Sequence, residues 1–142
     1  MGVFQTNSPE ETQRVAMDLA VALRPGACIA LDGQLGAGKT QFVRGLVIGL
    51  GGNPRDVSSP TFVLLNVYPT PKLTVYHLDA YRVTGAEDLE GIGFSELLEQ
   101  GGVVVVEWAE RVWELLPRES IDVQIDVVGE NSRRIEVGSG TR

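Results

Sequence analysis

Eight consecutive residues, Gly33-Gln34-Leu35-Gly36-Ala37-Gly38-Lys39-Thr40, match the pattern Gly-x-x-x-x-Gly-Lys-Ser/Thr. Glycines let the backbone turn so that several N–H groups converge on one point. A helix that starts where the loop ends adds its positive N-terminal dipole, which favours a bound anion. The ammonium of Lys39 then reaches the β- and γ-phosphates of a nucleotide, and the Thr40 hydroxyl is a ligand for Mg2+. The pattern predicts ATP and Mg2+ as cofactors, with Gly36, Ala37, Gly38, Lys39, Thr40 and Gln41 around the phosphates. The bland alternative is a glycine turn that happens to hold a Lys-Thr pair. Context argues against it, because a short apolar run precedes the loop and an amphipathic stretch follows it.

Phosphate binding alone does not make a hydrolase; an acid for the metal and a group that orients water are also needed. Two acids have suitable positions. Glu107 follows the four valines Val103 to Val106, and Asp79 follows the apolar run Leu73 to Leu78. Each is a candidate for the metal-site acid at a strand end, and each has a plainer reading as a solvated loop acid. Asp122 and Asp126 lie in an alternating run and read as solvent-facing. Thr61, after Ser58-Ser59-Pro60, suits a hydroxyl that senses the γ-phosphate or completes the Mg2+ shell. Taken residue by residue, His77 reads as a hydrogen-bonded structural side chain, Tyr81 as a packing residue and Arg82 as a surface or interface residue. Trp108 reads as a core residue with a bonded indole N–H.

The elements that must position these residues are legible in outline. Ser8-Pro9-Glu10-Glu11 is a capping box, with Pro9 at the first helical position. Val15, Leu19 and Leu23 follow on one helical face, and Arg24-Pro25-Gly26 stops the helix. Ala27 to Leu31 is a buried strand leading into the loop. Phe42, Val43, Leu46, Val47 and Leu50 form the buried face of the next helix, which Gly51-Gly52 ends. Phe62 to Tyr68 and Leu73 to Leu78 read as a hairpin turned by Pro69-Thr70-Pro71-Lys72. Ala86 to Gln100 holds helical fragments interrupted by Gly91 and Gly93. Val103 to Val106 is a strand buried on both faces, and Glu110 to Leu116 is helical. Ile121 to Val128 and Arg133 to Val137 form a second hairpin, and Gly138 to Arg142 is expected to be a frayed tail. The expected architecture is one α/β domain over residues 1–142, with a mixed central sheet between two helical layers.

The length of 142 residues is that of one domain, able to bury a core without staples. The net charge of -7 disfavours a broad nucleic-acid face, which needs clustered Lys and Arg. A single cysteine, Cys28, excludes an intrachain disulfide and a cysteine metal cluster. No apolar run approaches a membrane span, and no basic segment followed by an apolar stretch opens the chain. A cytoplasmic location is the expectation.

Four blocks, Leu35-Gly36-Ala37-Gly38-Lys39-Thr40, Ser59-Pro60-Thr61-Phe62, His77-Leu78-Asp79-Ala80-Tyr81-Arg82 and Glu107-Trp108, together resemble the bacterial TsaE (YjeE) family. This family is the small ATPase of tRNA threonylcarbamoyladenosine (t6A) biosynthesis. The first block is common to P-loop proteins; the second and third, in that order, are specific. Glu11-Thr12 at a helix start also resembles the family. The resemblance implies weak ATP hydrolysis by the chain alone. It implies action with a TsaD–TsaB pair, which transfers a threonylcarbamoyl group to an adenosine of tRNAs reading codons that begin with A. The partners would contact the tRNA. By the same resemblance Lys39 and Thr40 bind phosphate and metal, Glu107 joins the Mg2+ shell, and Asp79 orients or activates water. Ser59 and Thr61 form a switch I-like element, and His77, Tyr81 and Arg82 belong to a switch II-like element facing the partner. Thr12 and Trp108 lie near the nucleotide. The sequence departs from the family at Gln34, Gln41 and Ala80, none of them assigned to chemistry by the resemblance.

Other functions were weighed. A small-molecule kinase usually needs an arginine-rich lid, and the stretch after Asp79 offers Arg82 followed mainly by acids. A GTP-dependent switch protein would carry a guanine-reading Asn-Lys-x-Asp segment, which is absent from the sequence. Direct tRNA binding is disfavoured by the charge.

Overall fold

The computed structural model describes residues 2–34, 36–58, 65–81, 83 and 86–139. Seven strands form one sheet: β1 (Gly2–Thr6), β2 (Ala27–Gly33), β3 (Leu65–Tyr68), β4 (Val75–Asp79), β5 (Val103–Glu107), β6 (Ile121–Val127) and β7 (Arg133–Ser139). Their order across the sheet is β1-β7-β6-β2-β5-β4-β3. The inner four, β6, β2, β5 and β4, run parallel, and the flanking pairs β3–β4, β6–β7 and β1–β7 are antiparallel. Helices α1 (Pro9–Ala20) and α2 (Lys39–Gly49) cover one face. Two short helices, α3 (Ala86–Gly91) and α4 (Phe94–Leu98), and a 3-10 segment, Ala109–Leu115, cover the other. The mixed sheet between two helical layers is the architecture the sequence predicts.

Alternation along the strands divides the core. Ile29, Leu31, Val103 and Val105 pack beneath α1 and α2, whereas Cys28, Ala30, Val104 and Val106 pack on the side of α3, α4 and the 3-10 segment. The valines of β5 are all buried, as a strand covered on both faces requires.

Helix α1 starts as the capping box demands, with the Ser8 hydroxyl accepting from the Glu11 N–H at 3.1 Å. The Glu11 carboxylate reaches back one residue further than expected and accepts from the Asn7 N–H. Helices α1 and α2 approach closely because α2 presents Gly45 to α1. A Cβ at Gly45 would stand 2.3 Å from the Gln13 carbonyl oxygen and 2.7 Å from the Ala16 Cβ. This contact seats the start of α1 beside the start of α2.

Several boundaries differ from expectation. β1 has no counterpart in the sequence reading. It is an edge strand with Val3 and Phe4 exposed, and its short, mostly outward-facing pattern gives no alternation signal. Asp79 and Glu107 are the last residues of β4 and β5 rather than the first residues after them. Helix α1 ends at Ala20, before Leu23. Gly138 and Ser139 are not frayed, because they pair with Asp122 and Ile121 in the β6–β7 ladder. Ser59, Thr61 and Arg82, and with them the start of the first predicted hairpin, lie outside the described residues.

Candidate functional site

Strand β2 delivers the loop. At its end, Gly33 lies against β6, where a Cβ would stand 2.7 Å from the Ile125 carbonyl oxygen. Gly38, the residue before α2, has φ of 106°, a left-handed conformation that glycine adopts without penalty. It offers no side chain to cap the helix, so the N–H groups of the first turn of α2 are left for a ligand. A phosphate fits this cradle: free N–H donors, a helix N-terminus and a lysine.

Lys39 is almost completely buried. Its ammonium donates to the Gly33 carbonyl at 2.7 Å, lies 4.0 Å from the centre of the Trp108 ring and is 3.9 Å from Oε1 of Glu107. Burial lowers its pKa from the ordinary lysine value, opposed by the carboxylates of Glu107, Asp79, Asp32 and Glu110. The acidic surroundings thus help hold a charge on a lysine that the protein interior disfavours.

Sheet register brings the two predicted acids together. Asp79 and Glu107 are direct partners across β4–β5, and Leu31, two residues before the end of β2, is the partner of Glu107 on the other side. Both carboxylates therefore sit at the same end of the parallel strands as the glycine loop. Asp79 accepts from the Tyr81 N–H at 2.8 Å, and its pKa is raised chiefly by burial. Glu107 is buried and bonds through Oε2 to Nε2 of His77.

Trp108 follows with φ of 58°, the one left-handed non-glycine among the described residues. This turn aims the indole back over Lys39. Tyr81 packs on the other side at a centroid distance of 4.9 Å, and the Arg111 guanidinium lies 5.2 Å from the Tyr81 ring. Two rings packed together thus stand between two cations in this wall, Lys39 against Trp108 and Arg111 against Tyr81, each within cation–π reach. Asp32 fixes the turn from below by accepting from the Ala109 N–H at 2.9 Å; burial raises its pKa.

A cleft of about 550 Å³ opens over these groups. The loop, Lys39, Thr40 and Gln41 form its floor; Asp79, Tyr81, Glu107 and Trp108 form one wall. Ser8, Pro9 and Thr12 from the start of α1, with Glu130, Asn131 and Arg133 from the β6–β7 hairpin, complete it. Its size suits a nucleotide. Thr40 offers a hydroxyl and Glu107 a carboxylate, hard oxygen donors of the kind Mg2+ takes together with substrate phosphates.

A sequence model described as "Threonylcarbamoyl adenosine biosynthesis protein TsaE" matches residues 6–135. The chain belongs to the TsaE family. Among its TsaE relatives, the "tRNA threonylcarbamoyladenosine biosynthesis protein TsaE" of Treponema pallidum is 40% identical, over 93% of this chain and 96% of that protein. The protein of the same description in Bacillus subtilis is 39% identical over 93% of this chain and 82% of its own length. The crystal structure of Bacillus subtilis YdiB superimposes with a TM-score of 0.78 at 33% identity. That superposition covers 97% of this chain and 85% of the YdiB chain.

This TsaE chain gathers at the cleft every described residue that the sequence named for nucleotide, metal or catalysis. Thr12 is buried there, its hydroxyl 2.9 Å from that of Thr6. Gln41 is tied to α1, accepting from the Gln13 side chain at 2.8 Å. His77, part of the partner-facing element that the resemblance implies and a structural histidine when taken by itself, is fully buried and bonded to Tyr68 and Glu107. Tyr81, 44% exposed, is outward-facing. Arg133 was missed: it donates from Nε to the Ala37 carbonyl at 3.0 Å and from Nη2 to the Gly36 carbonyl at 3.2 Å. One arginine at the start of an alternating strand carries no signal that it grips a loop almost a hundred residues earlier. Asp32 was also missed, although an acid at the end of the strand that enters the loop was a readable cue.

Proposed function

We propose that this chain is the ATP-binding and ATP-hydrolysing subunit of the tRNA t6A modification machinery, weakly active alone and working with TsaD and TsaB homologues. Membership of the TsaE family supports the pathway. The observation that carries the chemistry is the convergence of Lys39, Thr40, Asp79 and Glu107 on one cleft. In this reading the loop N–H groups and Lys39 hold the β- and γ-phosphates. Thr40 and Glu107 hold Mg2+, which offsets the charge that develops on the phosphates. Asp79 orients or activates the water. Its raised pKa makes it a better proton acceptor than an ordinary carboxylate. Trp108 and Tyr81 screen the reacting end from solvent, and Thr12 flanks the nucleotide. Ser59, Thr61 and Arg82 are proposed as switch and partner residues on their sequence pattern alone, together with the exposed Tyr81.

The test is ATP hydrolysis by the purified chain, alone and with a TsaD–TsaB pair from the same source, in the presence and absence of Mg2+. Stimulation by the pair, abolished in Lys39→Ala, is the expected result. Unchanged hydrolysis in Lys39→Ala would remove the site; hydrolysis without stimulation would keep the ATPase and remove the pathway.

A further inference from the structure

Glu107 is held from behind by a line of buried polar groups that catalysis, as described so far, does not use. The register lays them out diagonally across three strands. Asn66 of β3 is opposite His77 of β4, so Tyr68, two residues on, shares the face of His77. His77 is opposite Val105 of β5, so Glu107, two residues on, shares that face as well. The contacts follow: the Tyr68 hydroxyl is 3.1 Å from Nδ1 of His77, and Nε2 of His77 bonds to Oε2 of Glu107. Tyr68 is buried and His77 is completely so. The Ser58 carbonyl lies 3.3 Å from the same hydroxyl, and the Asn66 and Ser58 side chains also border it.

The Tyr68 hydroxyl has a single hydrogen to give. Burial raises its pKa, so it keeps that hydrogen. A bare Nε2 facing the Glu107 carboxylate would set two acceptors in contact in a buried place, and they repel. The contact is therefore an Nε2–H donating to Oε2. The Tyr68 hydroxyl either gives its hydrogen to Nδ1 or, where Nδ1 also carries one, accepts from it and gives its own to the Ser58 carbonyl. In both arrangements the ring is held at Nδ1 and donates at Nε2.

We propose that Tyr68 and His77 are positioning residues for Glu107. Tyr68 holds the His77 ring at Nδ1, and the Nε2–H fixes Oε2 so that Oε1 is presented to Lys39 and the cleft. This rests on the reading of Glu107 as a Mg2+ ligand. Outer partners of this kind typically tune metal affinity by about 10- to 100-fold.

His77 is the only histidine in the chain, so ring-15N histidine labelling reports on it alone. In the nucleotide-free protein, a protonated Nε2 is expected. The second measurement is Mg2+ titration of the complex with a non-hydrolysable ATP analogue, followed by Trp fluorescence. Glu107→Gln should weaken Mg2+ most, His77→Leu by about 10-fold or more, and Tyr68→Phe by less. His77→Gln, whose amide nitrogen can take the place of Nε2, should recover most of the loss, which a merely structural role would not give. Analogue affinity without Mg2+ should change far less than Mg2+ affinity in His77→Leu, His77→Gln and Tyr68→Phe. A ring bare at Nε2 would overturn the proposal. So would an undiminished Mg2+ affinity in His77→Leu while Glu107→Gln loses it. If Glu107→Gln keeps its Mg2+ affinity, the reading of Glu107 itself falls, and the proposal with it.

Discussion

Beneath α1 and α2, the sheet buries Thr12, Lys39, Tyr68, His77 and Glu107 among its apolar residues; beneath α3, α4 and the 3-10 segment, the core cluster is wholly apolar. The long helices cover the chemical face, and the short ones cover the plain face. A buried polar group costs free energy unless it is bonded. The chemical face therefore needs helices whose own packing, as at Gly45 against Ala16, is close enough to hold the polar network in one geometry. The plain face works mainly through burial, with Asp32 tying the 3-10 segment to β2. Substitutions on the two faces should separate stability from function.

The largest effect belongs to the plain face. Phe94 is fully buried at the start of α4, and Phe94→Ala should cost about 3–5 kcal/mol of stability by urea denaturation. The nucleotide affinity of the folded protein should not change; a parallel loss of affinity would erase the distinction between the faces. Lys39→Ala is the mirror experiment. It should lower hydrolysis on the order of 10²–10³-fold with little loss of stability, since a buried, partly desolvated charge is removed. Arg133→Lys comes next. A lysine cannot bridge the Gly36 and Ala37 carbonyls as the guanidinium does. Nucleotide binding, measured by calorimetry, should weaken by about fivefold, roughly 1 kcal/mol.

The smallest effect is a gain. The pKa of Asp79 is raised in the folded state above its unfolded value, so folding favours its protonated form. The stability tied to that proton is present below the unfolded pKa and is lost as pH rises through the raised, folded one. Asp79→Asn should thus raise the melting temperature at neutral pH, by a small amount because the group keeps part of its exposure to solvent. The gain should vanish in acid. The same variant should lose hydrolysis while retaining nucleotide. A variant no more stable at neutral pH than the wild type would show that Asp79 carries no such strain.

The generic part of the site was the most legible in the sequence. A Gly-Lys-Thr loop between an apolar run and an amphipathic helix is a local pattern, and local patterns survive in one dimension. Glu107 and Asp79 were found because a strand end is also a local feature. Their pairing was not readable, since it depends on the register of β4 against β5. The same limit hid Arg133 and the Tyr68–His77 contact, which join positions that only sheet order brings together. β1 was illegible for another reason: an edge strand with one buried residue out of five leaves almost no hydrophobic imprint.

The β1–β7 ladder pairs Gly2 with Val137 and Thr6 with Arg133, the residue that also clips the glycine loop. On the ribosome, β1 therefore waits for β7. At ordinary elongation speeds that interval is on the order of ten seconds. Throughout it, Val3 and Phe4 travel as an unpaired apolar strand, and the loop lacks its arginine clip. A nascent chain that stops short of Arg133 holds the loop without its clip, so full nucleotide affinity is expected once β7 has been made and paired rather than when the glycine loop itself is made.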